Sequence, residues 1–272
     1  MNVILDKKAL APKVKMLKVS APLVAKKSKP GQFIVIRIDE KGERIPLTIV
    51  EKDSKIGSLT IIFQEVGRTT KELGKLKKGD NILDLVGPLG KPSKIRKVGT
   101  VVIIGGGIGI GEAYPEAKAH KNIGNKVISI IGARSKEFLI LENEMASISD
   151  EIYVTTDDGS KGHHGFVTDI LEELINKKIK IDLVFAVGPT IMMKAVSEIT
   201  EPHRIKTLIS LNPIMVDATG MCGGCRVNVG GENKFACVDG PTFDGHKVDF
   251  ESLIKRLNTY LEEEEISCKM QE

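Results

Sequence analysis

Three of the four cysteines fall inside one glycine-rich stretch, 217-DATGMCGGCRVNVGGENKFAC-237. Cys222-x2-Cys225 lets two thiolates share a tight loop, and Cys237 follows after eleven residues. That is metal-ligand spacing. Gly220, Gly223 and Gly224 clear side chains from a bulky site and leave backbone N–H groups to bond sulfur, which favours a cluster over bare zinc. Three thiolates are one short of the usual four ligands. Asp217, His246, Asp239 and Cys268 are the candidates for the fourth. A single zinc ion completed by His246 is one alternative, and a disulfide with a spare thiol is another, disfavoured in a reducing compartment.

A second chemistry is carried by glycine. In 104-IGGGIGIGEAYPEAKA-119 an apolar run meets a helical stretch, the place where backbone N–H groups and a helix N-terminus cradle phosphate. The strict G-x-G-x-x-G spacing fails, because the sixth position is Ile110 from Gly105 and Glu112 from Gly107. The next strand ends in 132-GARS-135 without an acidic residue for a ribose, and Arg134 there could meet an adenosine phosphate. Loops 155-TTDDGSKGHHGFVTD-169 and 188-GPTIMM-193 follow two further strands. Ligands bind beyond the carboxyl ends of strands in open α/β sheets, so these loops converge on one crevice. Each alone also reads as an ordinary turn. Adjacent His163 and His164 cannot readily share a metal and read as loop residues, while Met192 and Met193 read as core.

Two stretches near the N-terminus could hold a cofactor. In 43-ERIPLTI-49, Arg44 precedes Pro46 and Thr48 at a strand edge, an arrangement suited to a flavin. In 62-IFQEVGRTT-70, the Gly67–Thr70 segment offers backbone N–H groups and two hydroxyls to a pyrophosphate. Read alone, each is again a turn.

The elements that must position these groups follow from periodicity. Short alternating runs, 33-FIVIRI-38, 47-LTIVEK-52, 58-SLTIIFQEV-66 and 81-NILDLVGPLG-90, predict a small β barrel or sandwich without long helices. From residue 99, apolar runs at 100–107, 126–133, 151–156, 181–188 and 206–212 alternate with helix candidates at 112–125, 136–148, 166–178 and 189–200. That pattern specifies a doubly wound parallel sheet. The cysteine segment hangs from the last strand, and 249–265 predicts an amphipathic helix. The 272 residues carry a net charge of +4 spread along the chain, which argues against a nucleic-acid footprint. No apolar run approaches the roughly 20 residues of a membrane span, and no signal peptide is legible, so a cytoplasmic protein is expected.

A β domain, a GGGxG α/β domain and then a cysteine loop is the order of the ferredoxin–NADP reductase superfamily with an appended [2Fe–2S] segment. Over nearly its whole length the chain resembles one branch of it. That branch holds the small (alpha) subunits of NADH-dependent ferredoxin:NADP oxidoreductases, closely related to sulfide dehydrogenase beta subunits. Electron-transfer subunits of dihydroorotate dehydrogenase B are more distant siblings and the alternative assignment; a zinc-stabilised nucleotide-binding module is the other. The resemblance is carried by 44-RIPLTI-49, 66-VGRTT-70, 105-GGGIGIGEAYPEAKA-119, 132-GARS-135, 156-TDDGS-160, 188-GPTIMMKAV-196 and 211-LNPIMVDATGMCGGCRV-227.

The resemblance implies an FAD-binding antiparallel β-barrel at 1–97, an NAD(P)-binding α/β domain at 98–213, a cluster segment at 214–248 and a C-terminal helix at 249–272. It puts the flavin ring on Arg44, Pro46, Leu47 and Thr48, with Ile62, Phe63 and Gln64 beside it. It assigns the FAD pyrophosphate to Gly67, Thr69 and Thr70. NAD(P)H would dock on Gly105, Gly106, Gly107, Gly109, Arg134, Asp157, Asp158, Gly159, Ser160, Gly188 and Pro189. The dihydroorotate siblings use C-x4-C-x2-C plus a distant fourth cysteine; Asp217 stands at the first position here, so the implied ligands are Asp217, Cys222, Cys225 and Cys237. Two departures stand out. Arg44 lies four positions before Thr48 where the superfamily has three, and Gly111–Glu112 replaces a common Ala-Pro, which puts a carboxylate beside a pyrophosphate unless it points away. The implied activity is hydride exchange between NAD(P)H and FAD, with single electrons passing through the cluster to a larger iron–sulfur flavoprotein subunit and through the complex to ferredoxin, by flavin-based electron bifurcation. No side chain is implied as a catalytic acid or base.

Overall fold

Alternation of apolar and polar residues builds the first part of the chain. In the computed structural model, which describes residues 2–269, it contains β1 (Asn2–Ala11), β2 (Val14–Ser20), α1 (Pro22–Lys27), β3 (Phe33–Arg37), β4 (Ile45–Thr48), β5 (Glu51–Asp53), β6 (Ser58–Gln64), α2 (Arg68–Lys75), β7 (Asn81–Ile82) and β8 (Asp84–Leu89). The strands form two antiparallel sheets, β5-β6-β2-β1-β7 and β4-β3-β8. They share one core, in which Ile4, Leu17, Leu59, Ile61 and Phe63 of the larger sheet meet Ile34 and Ile36 of the smaller. Burying such a side chain is worth about 1.5–3 kcal/mol. Strand β3 uses both faces: Phe33 and Val35 turn the other way, onto the cysteine segment.

The second part is layered. It runs β9 (Thr100–Gly106), α3 (Ile110–Asn122), β10 (Lys126–Ala133), α4 (Glu142–Ile148), β11 (Glu151–Thr156), β12 (His163–His164), α5 (Val167–Asn176), β13 (Leu183–Val187), α6 (Thr190–Thr200) and β14 (Thr207–Ser210). The cysteine segment follows with β15 (Arg226–Val229), β16 (Glu232–Phe235), α7 (Ala236–Asp239) and β17 (Thr242–Asp244), and the chain ends in α8 (Phe250–Leu257) and α9 (Leu261–Lys269). The sheet order is β12-β11-β10-β9-β13-β14-β17, parallel as far as β14. Both faces are buried: Val101, Ile103 and Phe185 pack with α3 and α4, while Val102, Ile104 and Val184 pack with α5, α6 and α8. The strands are therefore continuous apolar runs, as a doubly covered sheet requires.

Several details differ from the sequence reading. The helix expected over 136–148 is a 3-10 turn at Lys136–Phe138 followed by α4, because Leu141 takes a left-handed φ of 53° that breaks the helix. The single helix expected over 249–265 is two, since Asn258–Tyr260 form a turn; residues 270–272 lie outside the described residues. Strand β17, antiparallel on the sheet edge beside β14, carried no sequence signal. It matters here, because it stitches the cysteine segment to the parallel sheet. On its other flank Lys91 N–H donates to the Gly240 carbonyl at 2.6 Å, so the segment is seated on both parts of the chain. Among the described residues no helix is long and apolar enough to cross a membrane.

Candidate cofactor and nucleotide site

The order β11-β10-β9-β13-β14 places the topological switch point between β9 and β13, the position beyond whose carboxyl ends open α/β sheets bind ligands. Close packing explains the glycines there. A Cβ at Gly109 would lie 2.5 Å from the Val187 carbonyl oxygen, and one at Gly105 would lie 2.9 Å from the Ile110 Cα. Gly107 differs: its φ is +56° and a Cβ would meet nothing within 4 Å, so the tip of the loop faces open space. Beside it, Gly188 approaches the Gly106 carbonyl, and Pro189 precedes α6.

The neighbouring loops are tied into the same place. Asp157 and Asp158 N–H groups donate to the carbonyls of Ala133 and Arg134 at 3.1 Å each. Lys136 N–H donates to Ser160 Oγ at 2.8 Å, and Ser160 N–H to Asp158 Oδ1 at 2.9 Å. Exposed Arg134 therefore stands against the Asp157–Gly159–Ser160 loop at the carboxyl end of β10. His163 and His164 form β12, with His163 3.3 Å from Asp169. Met193 is core.

On the opposite wall, β4 sends Ile45 and Leu47 toward the first core. Pro46 and Thr48 take the other face, and Arg44 is exposed just before the strand. Phe63 is 2% exposed inside the core, leaving only its main chain for a ligand, whereas Ile62 packs across the boundary with Ile110. Gln64 ends β6 half-buried. At α2 the Thr70 hydroxyl accepts from Gly67 N–H at 3.0 Å and returns a bond to the Gly67 carbonyl. The Gly67 amide expected to face a pyrophosphate is thus spent on capping its own helix. Thr69 Oγ donates to Glu43 Oε2 at 2.9 Å, a carboxylate acceptor of the kind a phosphate oxygen would replace. A cavity of about 450 Å³ adjoins it, lined in part by Gly42, Glu43, Arg68 and Thr69. The lining also carries Asp39, Glu40, Lys41 and Glu72, and Arg68 pairs with Glu72 at 3.5 Å, so the donors left for a pyrophosphate are the Thr69 hydroxyl, Lys41 and the first-turn amides, against carboxylates that oppose its charge.

Glu112 resolves the departure in the glycine loop. Its carboxylate turns away from the loop tip and bridges the two walls. Thr48 Oγ donates to Oε2 at 3.1 Å, and Ser210 Oγ donates to Oε1. Burial pushes this carboxyl up, and the Ser210 and Thr48 hydroxyls oppose that only in part. Nothing in the sequence announced this bond, because its partners are distant in the chain.

In the cysteine segment, the β15–β16 hairpin returns Cys237 to Cys225, with the two Sγ atoms 3.1 Å apart. Both are buried, while Cys222 is exposed. Main-chain donors reach the sulfurs: Gly224 N–H to Cys222 and Cys237 N–H to Cys225, each at 3.4 Å. Burial and the neighbouring Cys225 push the Cys237 thiol up to about 12, and the Gly224 N–H draws Cys222 down. Of the four candidate fourth ligands, Asp217 is the one that lies beside Cys222. Thr219 and Met221 donors converge on its Oδ2, leaving Oδ1 without a protein donor among the described residues. The Thr219 hydroxyl, first, and the more distant Arg44 guanidinium hold this carboxyl below its usual range.

The other three candidates are engaged elsewhere. Asp239 accepts from Phe235 N–H and pairs with Lys91. His246 bonds Thr200, and Cys268 lies near the Val66 carbonyl. Among the described residues no three His, Cys, Asp or Glu side chains gather around a single ion position. Three thiols and a carboxylate, with amide donors to sulfur, are a donor set that fits a two-iron cluster.

Comparison with known proteins places the architecture first. The ferredoxin-NADP+ reductase of Plasmodium falciparum aligns with a TM-score of 0.59 at 17% identity, over 74% of this chain and 89% of that one. The fold is that of the ferredoxin reductases, here with a cysteine segment added. A family model described as the iron-sulfur cluster binding domain of dihydroorotate dehydrogenase B matches residues 212–249. The dihydroorotate dehydrogenase B (NAD(+)) electron transfer subunit homolog of Thermotoga maritima is 49% identical, over 98% of this chain and 94% of that protein. The electron transfer subunit of Geobacillus thermodenitrificans is 33% identical, over 90% and 96%. The chain belongs to this family of dihydroorotate dehydrogenase B electron transfer subunits and their homologs. It is also similar to a chain of the NADH-dependent reduced ferredoxin-NADP oxidoreductase, solved in a study of flavin-based electron bifurcation. That match has a TM-score of 0.94 and 48% identity, over 99% of this chain and 97% of that one.

Proposed function

We propose that the chain is the electron-transfer subunit of a bifurcating NADH-dependent ferredoxin:NADP oxidoreductase, with FAD and a [2Fe–2S] cluster as resident cofactors. When bound, the flavin would exchange hydride with NAD(P)H, and the cluster would pass single electrons to a larger iron–sulfur flavoprotein subunit and through it to ferredoxin. The observation that carries this reading is the meeting of three sites at one boundary: Thr48 bonds Glu112 in the first turn of the glycine-loop helix, and Arg44 lies in electrostatic reach of Asp217 beside Cys222.

The residues have distinct tasks in this reading. Arg44, Pro46 and Thr48 orient the flavin ring, with the Leu47 and Phe63 main chains and Gln64 beside it; Thr69 holds the pyrophosphate once Glu43 is displaced, on the turn that the Gly67–Thr70 bonds shape. The Gly105–Gly109 loop and the Gly188–Pro189 turn let nucleotide phosphates approach the main chain, and Arg134 with Asp157–Ser160 grips the adenosine end. Asp217, Cys222, Cys225 and Cys237 hold the cluster, one ligand being a hard oxygen. In this reading the chain divides into a flavin part (1–97), a nucleotide part (98–213), a cluster segment (214–248) and C-terminal helices, and works in a cytoplasmic heterodimer.

Anaerobic purification with iron, sulfide and flavin analysis tests this. Stoichiometric flavin and iron support it; a colourless protein sinks it in favour of a zinc-stabilised module. The family also supports a second reading, a dihydroorotate dehydrogenase B subunit, which shares the spectrum and differs in the partner that co-purifies. Asp217 in place of a cysteine favours the first.

A further inference from the structure

A cation from outside the cysteine segment is tied to its metal loop. Arg256, in the last turn of α8, donates from Nη2 to the Gly224 carbonyl at 3.0 Å. A basic residue at a helix C-terminus ordinarily serves the free carbonyls of its own helix. This one reaches a glycine between Cys222 and Cys225 instead. The fold builds that reach. Phe250, Leu253 and Leu257 seat α8 on the same core as Val227 and Val229 of β15, and Asp249 N–H donates to the Asn228 carbonyl at 3.0 Å. Helix and cysteine hairpin are thus packed as one piece, with Arg256 half-buried at the edge of the loop.

Gly224 faces two ways. Its N–H donates to Cys222 Sγ at 3.4 Å while its carbonyl accepts from Arg256, so the guanidinium fixes the residue whose amide bonds the sulfur. No carboxylate compensates this cation among the described residues. The acids of the surrounding elements are engaged: Glu251 with Lys194, Glu232 with Lys234, Asp239 with Lys91, Asp244 with His246 N–H and Asp249 with Ser252 N–H. Arg226 and Arg44 are exposed, where water and salt screen their charge.

We propose that Arg256 is a positioning residue that raises the reduction potential of the cluster site, by holding an uncompensated positive charge on the cysteine loop. The proposal rests on the functional reading above. Asp217 and three thiolates make the loaded site negative, and reduction adds one further negative charge. A fixed cation stabilises that added charge, and a half-buried one is screened less than a surface one. Arginine stays charged throughout the working pH range, so the effect does not titrate. The cation therefore favours electrons that have passed from the flavin to the cluster.

The test uses the full chain with flavin and cluster loaded, in redox titrations followed by EPR. Arg256→Gln keeps an amide donor for Gly224 and removes the charge. Its cluster midpoint should fall by about 59 mV, a tenfold change in a one-electron equilibrium. Arg256→Lys keeps the charge and should recover most of that fall. Ser252→Glu leaves Arg256 in place and sets a carboxylate one turn before it, so the pair compensates the cation and the midpoint falls again. This variant decides the matter where Arg256→Gln does not hold its cluster. A merely structural Arg256 predicts lower iron content with an unmoved midpoint in every variant that loads, and that result overturns the proposal. The cofactor-free chain supplies a separate arm. Arg256→Ala removes the donor and should quicken amide hydrogen exchange in the Cys222–Cys225 loop about tenfold, the scale of one lost charged hydrogen bond. Unchanged exchange also overturns the proposal. Wild type that takes up no iron defeats the functional reading, while this arm still reports whether Arg256 holds the loop.

Discussion

Cys225 and Cys237 stand with their sulfurs 3.1 Å apart although twelve positions separate them. The closure is the work of the β15–β16 hairpin, whose Val229–Glu232 register leaves Gly230 and Gly231 as a two-residue turn with φ of +63° and +81°. Both positions need left-handed backbone, which glycine adopts without a Cβ penalty. Gly230→Val should therefore splay the hairpin and cost about 1–3 kcal/mol. Iron and sulfide analysis should show most of the cluster lost, while flavin content holds.

Asp217 should set the cluster's electronic character. Asp217→Cys should keep the cluster and alter its EPR spectrum and redox potential; Asp217→Ala should lower iron occupancy. Unchanged spectra and potential in both would remove Asp217 from the ligand set.

The glycine loop should separate packing from ligand access. Gly109→Ala forces a Cβ against the Val187 carbonyl and should cost roughly 1–3 kcal/mol by thermal melting. Gly107→Ala meets no atom and should cost only about 1–2 kcal/mol for its left-handed backbone. Nucleotide affinity should nevertheless fall more steeply in Gly107→Ala per unit of lost stability, because its methyl enters the open space.

Arg134 is the one cation at the rim beside Asp157–Ser160 that the nucleotide reading uses. Arg134→Ala should weaken NADPH binding about tenfold more than NADH binding if the guanidinium meets the 2′-phosphate. Titration of both nucleotides decides it, and equal losses would point to NADH as the native ligand.

Glu116 gives the cofactor-free chain a definite pH dependence. Its carboxyl is raised to about 7 in the folded chain from 4.5, so the folded state binds more protons than the unfolded state between those values. Stability should fall as pH rises through that window, by an upper bound on the order of 3 kcal/mol. Glu116→Gln should flatten the slope and be the more stable protein above pH ~8, as denaturant titrations across pH would show.

Much of this was legible from local pattern. Apolar runs such as 100–107 and 126–133 marked buried parallel strands, and Cys222-x2-Cys225 marked a metal loop, because both signals are short-range. The illegible features were those made by distance. β17 is three residues whose pairing with β14 is tertiary. The Glu112 bonds join residues 64 and 98 positions apart. Leu141, a residue that ordinarily favours helix, interrupts one by adopting a left-handed φ. Asp217 lay between: its spacing named it a candidate, and only the fold left Asp239, His246 and Cys268 engaged elsewhere.

The double seating of the cysteine segment has a kinetic consequence. β17 fixes it to the parallel sheet and the Lys91–Gly240 bond fixes it to the smaller β sheets, so it cannot swing with either alone. The gap an electron crosses inside this subunit is then set once, at folding. Flavin-to-cluster transfer in the isolated chain should be indifferent to solvent viscosity, and any viscosity-dependent step in the assembled complex should belong to motion between subunits.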